Sequence, residues 1–191
     1  MAWNKQHKQK TREKILQSAA RLFTQQGYDA VGINDVMRDA GLTRGAFYAH
    51  FDSKQVLYAE SIKAAARESL QYLDPDNDRM VPLGRVVQGY LSHSHREGQG
   101  LRCPLAFLVT DISHRDDVVR AAYTEVFSHF VALLAKQAGG HVSDSQTYQA
   151  AIFLIGGLAV SRAVSDEQLA ENILQACREG IAAGPLLDAV R

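Results

Sequence analysis

At 191 residues, with 46% apolar and 22% charged side chains, this chain can bury a sizeable core in one or two domains, which excludes a disordered or fibrous protein. No run of about 18 apolar residues occurs, so no membrane-spanning helix and no membrane partner are expected. Formal charge sums to zero, yet residues 1–63 hold 10 Lys+Arg against 6 Asp+Glu and the remainder 11 against 15. Positive charge at one end is the footprint of a molecule that meets phosphates there. The N-terminus is polar and basic, without the apolar core of a signal peptide, and Cys103 and Cys177 do not make a disulfide framework. The cytoplasm is the expected location.

The first predicted helix covers residues 11–26. Ile15, Leu16, Ala19, Ala20, Leu22 and Phe23 form one apolar stripe at helical period, and Gly27 stops it. Before it, Lys5, Lys8, Lys10, Arg12 and Lys14 make a basic entry arm. Residues 34–40 form a short second helix with Val36, Met37 and Ala40 inward, and Gly41-Leu42 makes a tight turn. Thr43 is expected to cap a third helix through its hydroxyl. In that helix Phe47 and Phe51 share a buried stripe, leaving Arg44, Gly45, Ala46, Tyr48 and His50 on the other faces. Helix, glycine turn, helix is the shape that enters a DNA major groove. Ser53 then caps a fourth helix whose first turn and Lys54 are placed for a phosphate.

Residues 11–58 resemble the N-terminal domain of TetR-family transcriptional regulators. The resemblance is carried by Phe23, Gly27-Tyr28, Asp35-Val36-Met37, Ala40-Gly41-Leu42-Thr43, Gly45-Ala46-Phe47-Tyr48, His50-Phe51 and Ser53-Lys54. One departure is Val31-Gly32-Ile33, where the family usually has Thr or Ser; Gly32 offers no hydroxyl to a phosphate. The resemblance implies an all-α fold of about nine helices. It comprises a helix-turn-helix domain over residues 1–52 and an effector-binding and dimerisation domain over residues 53–191. It also implies a homodimer that reads a palindromic operator in double-stranded DNA and is released by a small-molecule effector.

Beyond residue 60 only helical patterns recur. The fourth helix ends near Leu73, and residues 74–78 read as a loop. Leu83, Val86, Val87, Tyr90 and Leu91 mark a fifth helix closed by the glycines at 98 and 100. A sixth spans residues 103–112 with Pro104 at its first position. Val118 to Leu134 carry the cleanest stripe, ended by Gly139-Gly140. Two further helices cover about 144–163 and 166–182. The first is apolar on more than one face, and Gly156-Gly157 within it costs about 1 kcal/mol per glycine relative to Ala. Close approach of another helix is a reason for that cost. These two helices are therefore the expected dimer interface.

Among candidate site residues, Arg44 is the expected base reader, because a guanidinium forks onto guanine O6 and N7. Gly45 and Ala46 allow close approach; Tyr48 and Lys54 suit phosphates, and Asn34 on the second helix suits a base or phosphate. Tyr90, Phe107, Tyr123, Phe127 and Phe153 are candidates for lining an effector site, with Cys103 beside them and His129 or Asp111 as polar anchors. Arg102-Cys103-Pro104 puts a thiol at a helix start beside a cation, a setting that lowers a thiol pKa and makes Cys103 a possible redox sensor. Cys177 is read as packing. His93 and His95 point to different faces, and no zinc-ligand spacing occurs, so no metal and no cofactor are expected. No catalytic motif is present, and the chain is not expected to be an enzyme. The rivals are an activator, a regulator answering to a protein partner, and a helical small-molecule-binding protein or enzyme whose DNA-reading domain has lost function.

Overall fold

The computed structural model describes residues 2–73, 81–98, 102–139 and 142–184. Among them eleven helices run in order: α1 (Ala2–Ala30), α2 (Ile33–Asp39), α3 (Arg44–Phe47), α4 (Lys54–Leu73), α5 (Leu83–Tyr90), α6 (His93–Arg96), α7 (Pro104–Phe107), α8 (Val109–Ile112), α9 (Asp117–Gln137), α10 (Asp144–Ala163) and α11 (Glu167–Ala182). The expected loop at 74–78 lies outside the described residues.

The all-α class holds, with three local departures from the expected elements, the second and third of which supply the two extra helices. First, α1 begins at Ala2, so the basic arm is helical rather than a separate tail; its Lys, Gln and Arg residues are good helix formers, and Gln9 donates to Glu13 at 3.1 Å. Gly27, at φ 78 and ψ 173, breaks α1 where the sequence says it should. Second, the expected fifth helix divides at Leu91. Three side chains take the carbonyls freed there: His95 Nδ1 lies 2.8 Å from the Tyr90 oxygen, Arg178 donates to the Leu91 oxygen at 2.6 Å, and Ser92 donates to the Gly89 oxygen at 2.8 Å. Third, the sixth divides at Leu108 (φ −118), and the Tyr123 hydroxyl donates to the Leu105 oxygen at 2.8 Å. Satisfied carbonyls make such breaks cheap.

Elsewhere the helix starts follow their caps. Asp116 accepts from Val119 N at 3.1 Å, Asp166 from Leu169 N at 2.8 Å, and Ser143 exchanges bonds with Gln146. One continuous core runs from Ile15 on α1 to Ile181 on α11. Helix α4 packs on α1 at one side and on α9 at the other, so it belongs to both ends of the molecule.

Helix α9 corrects the expectation that no segment could span a bilayer. By length and composition Asp117–Gln137 is apolar enough to do so. Its Val119, Ala122, Val126, Phe130 and Leu134 are buried in the core against α4 and α10, which accounts for one apolar face of the helix.

Candidate nucleic-acid interface

The helix-turn-helix is built from a few buried anchors. Val36 and Met37 on α2 and Phe47 and Phe51 around α3 are all at most 2% exposed. Gly41 supplies the left-handed turn at φ 69, and Leu42 N bonds back to the Met37 oxygen at 2.8 Å. Gly32 caps α2 by donating its N–H to Asp35 Oδ2 at 2.9 Å. At the next cap Thr43 is extended, as a cap should be, yet its hydroxyl makes no capping bond, contrary to expectation. The Ala46 N–H, which a capping hydroxyl would take, bonds the Thr43 carbonyl oxygen at 3.1 Å, and the Thr43 side chain is exposed.

With the two Phe rings turned inward, the remaining residues of α3 face outward. Thr43, Arg44, Gly45 and Tyr48 are exposed, as is Asn34 on α2, while Ala46 and His50 are half-buried. A Cβ at Gly45 would meet no atom within 4 Å, so a partner's surface can come up to the backbone there. Tyr48 stands edge-on to Phe47, ring centres 5.1 Å apart, and remains 60% exposed. His50 has its Nδ1 buried without a hydrogen-bond partner, and burial first, then Lys8 and Arg12, hold its pKa below the ordinary histidine value. Lys8 and Arg12 of α1 thus lie on the same side as the end of α3.

Two cations of this end are engaged internally. Lys54 donates to the Tyr28 oxygen at 2.6 Å and sits 4.0 Å from that ring's centre. Arg12 pairs with Glu60 and lies 4.8 Å over the Phe51 ring. The expected Ser53 cap is present, accepting from Val56 N at 3.1 Å.

The effector candidates divide into two places. Tyr90, Cys103, Phe107 and Tyr123 come together at the junction of α5, α7 and α9, where the Tyr90 hydroxyl lies 3.4 Å from Cys103 Sγ. Phe127 packs on the core from α9. Phe153 does not join them: it is 41% exposed on the outer face of α10, against Gly180 of α11. Asp111 is committed to Tyr58 and Arg115, as described below, and His129 is exposed. Residues that the sequence did not assign to this site complete the cluster. His95 lies 4.9 Å from Tyr90 ring to ring, Phe130 5.6 Å from it, and the Arg162 guanidinium 3.5 Å over Phe107. Phe130 stood in the α9 stripe and was legible; His95 and Arg162 depend on the break at Leu91 and on tertiary packing.

Cys103 overturns the expected low thiol pKa. Burial pushes it up, outweighing the Tyr90 hydroxyl and the Leu105 and Ala106 amides, which favour the thiolate. The neighbouring Arg102 leans over Phe107 instead, 5.6 Å from the ring centre.

On the opposite side of α10 and α11 lies an apolar stripe with small residues in it. Ile152, Phe153, Val160 and Leu169 are exposed, and a Cβ on Gly156 would meet nothing within 4 Å. Gly157 differs: a Cβ there would stand 2.6 Å from Cys177 Sγ, so α10 and α11 approach closely within the chain at that point.

The fold and this exposed end define a helical protein bearing a helix-turn-helix. The N-terminal family model of the bacterial regulatory proteins of the tetR family matches residues 15–60. The HTH-type transcriptional regulator AcrR of Shigella flexneri is 46% identical over 56 residues, 29% of this chain and 26% of its own length. The uncharacterized HTH-type transcriptional regulator YxaF of Bacillus subtilis (strain 168) is 26% identical over 132 residues, 66% of this chain and 69% of its own length. The chain thus spans about a quarter of the first and about two thirds of the second. A TetR-family regulator from Cytophaga hutchinsonii shares the fold at a TM-score of 0.74 and 16% identity, over 93% of this chain and 96% of that one. Residues 15–60 thus match the N-terminal domain of the tetR family, and the chain as a whole shares the fold of a solved TetR-family regulator.

Proposed function

We propose that this chain is a cytoplasmic, homodimeric repressor that reads a palindromic operator through α3 and leaves it when a small molecule binds the helical body. One observation carries the reading: Phe47 and Phe51 anchor α3 so that Arg44, Gly45 and Tyr48 stand exposed on its outer face. Arg44 reads a base and Gly45 and Ala46 let the backbone approach. Thr43, Tyr48, His50 and Asn34 serve phosphates or neighbouring bases. Lys54, held against the Tyr28 carbonyl, adds positive charge for a phosphate at the start of α4.

The apolar outer stripe of α10 and α11 supports dimerisation through those helices. A dimer would hold two α3 helices about one helical turn apart, roughly 34–36 Å, to match the halves of a palindrome. An effector works by binding one separation better than the other, and its effect is limited to that difference. The cluster around Tyr90, Phe107 and Tyr123 is the effector site in this reading.

Selection of bound sequences from random duplex DNA tests it. The expected result is enrichment of a palindrome whose affinity falls steeply with salt. Recovery of no preferred sequence, or binding only as a monomer, refutes the proposal. Repeating the selection with candidate metabolites identifies the effector by loss of binding.

A further inference from the structure

The DNA-binding end and the body meet at one node of charged and aromatic groups. The Tyr58 hydroxyl of α4 donates to Asp111 Oδ2 of α8 at 2.5 Å. Arg115, in the bend after α8, donates to Asp111 Oδ1 at 2.6 Å and forks onto Asp29 at 3.0 and 2.7 Å. Its guanidinium lies 4.5 Å from the centre of the Tyr28 ring, which has Lys54 against it at 4.0 Å. Tyr28 also meets Tyr58, with ring centres 5.0 Å apart. The contact is close: a Cβ on Gly27 would be 3.9 Å from Asp111 Oδ1.

The two halves of the node differ in kind. The Asp111 and Arg115 side chains are 20% and 15% exposed and Tyr58 is buried, so α8 is anchored to α4 from within. The Asp29 side chain is 79% exposed. It stands two residues after the Gly27 break and just before Val31-Gly32 leads into α2, which is where the chain turns into the helix-turn-helix. An ion pair with so exposed a partner adds little stability. Arg115 also buries its Nε without a partner, which costs stability. What a two-pronged fork does supply is direction, because both N–H bonds must line up with one carboxylate.

We propose that Arg115, which lies outside the helix-turn-helix, is a positioning residue for DNA reading: its fork on Asp29 sets the angle at which α2 and α3 leave the body. The inference rests on the reading of the chain as a DNA-binding homodimer. In such a dimer that angle fixes the spacing of the two reading helices, and α8 is the point at which a change in the body reaches them.

The test uses the full-length protein with a nitroxide carried on an unnatural ketone residue at Arg38, which is exposed on α2. Pulsed EPR then reports the label-to-label distance across the dimer, and the wild-type background is expected to show one narrow distribution. Asp29→Asn removes the charge and one of the two oxygens the fork grips, with little effect on unfolding, and Arg115→Gln removes the fork. Both are expected to broaden the distribution and to weaken binding to the selected operator by about 2- to 30-fold. Arg115→Lys, which keeps the charge without the fork, falls between. Wild-type distances and affinity in both variants overturn the proposal. So does an affinity loss confined to Arg115→Gln that tracks loss of folded protein while Asp29→Asn behaves as wild type. A wild-type background with no intersubunit distance, or no operator, refutes the dimeric reading itself, and the inference falls with it.

Discussion

Gly157→Ala separates two opposing effects of known size. Alanine in a helix interior is favoured over glycine by about 1 kcal/mol, so an isolated α10 would gain. The structure puts the new methyl 2.6 Å from Cys177 Sγ, 3.1 Å from Cys177 Cβ and 3.4 Å from Leu91 Cδ2. The sulfur can rotate aside, but the Cβ moves only with α11, and overpacking of this kind costs about 1–3 kcal/mol. The net expectation is a loss of up to about 2 kcal/mol, which is at most about 4–8 °C in Tm for a chain of this size. Thermal unfolding followed by circular dichroism, at one protein concentration throughout, measures it. Cys177→Ala in the same background removes the nearer contact but leaves the Cβ at 3.1 Å, so it is expected to restore part of the loss, a coupling that a double-mutant cycle isolates. Gly156→Ala, one residue away with open space around it, is expected not to lose stability within the monomer and to weaken dimerisation by sedimentation if the outer stripe is the interface. A Gly157→Ala protein as stable as wild type, with no coupling to Cys177, would show that α10 and α11 do not approach as described.

Arg44→Ala is expected to cost about 1–3 kcal/mol of operator affinity and to relax the preference at one base per half-site; because Arg44 is exposed, Tm should not move, and unchanged affinity across a salt series removes it as a base reader. Burial holds the pKa of His95 below its ordinary value, opposed by its bond to the Tyr90 oxygen. The unfolded chain therefore takes up the proton first, so the contribution is fully present above the unfolded value, about 6.5, and is lost as pH falls from there through the folded one. Urea unfolding at mildly alkaline and mildly acidic pH should show that loss, and His95→Asn, which keeps a donor for the Tyr90 oxygen, should flatten it; an equal slope in the variant rules His95 out. For Cys103 the raised pKa predicts slow chemistry: in a Cys177→Ser protein a disulfide reagent should react more slowly than with free cysteine at the same pH, and a faster reaction contradicts the burial.

Much of this molecule is decided by local rules. The stripe from Ile15 to Phe23, the Phe47–Phe51 pair, Gly27 and Gly41, and the caps at Ser53, Asp116, Ser143 and Asp166 act within one or two turns of chain, where periodicity and capping operate. From these follow the all-helical class, the helix-turn-helix and the outward set from Thr43 to Tyr48. Helix breaks are different. Leu91 and Leu108 carry no breaker residue; the chain turns there because Arg178, His95 and Tyr123 supply partners for carbonyls that a continuous helix would have satisfied itself. The character of Cys103 is likewise tertiary: its helix-start position favours a thiolate, and burial beneath Tyr90 reverses that. Lys54 and Asp111 look like free ligands in sequence and are claimed by Tyr28, Tyr58 and Arg115 only once distant turns meet. The linear chain alone thus determined which residues are helical and which face inward, because those depend on neighbours a few positions away. Where helices stop, which cations remain available and which thiols can ionise were decided by contacts between residues up to 87 positions apart, a range at which no sequence period carries information.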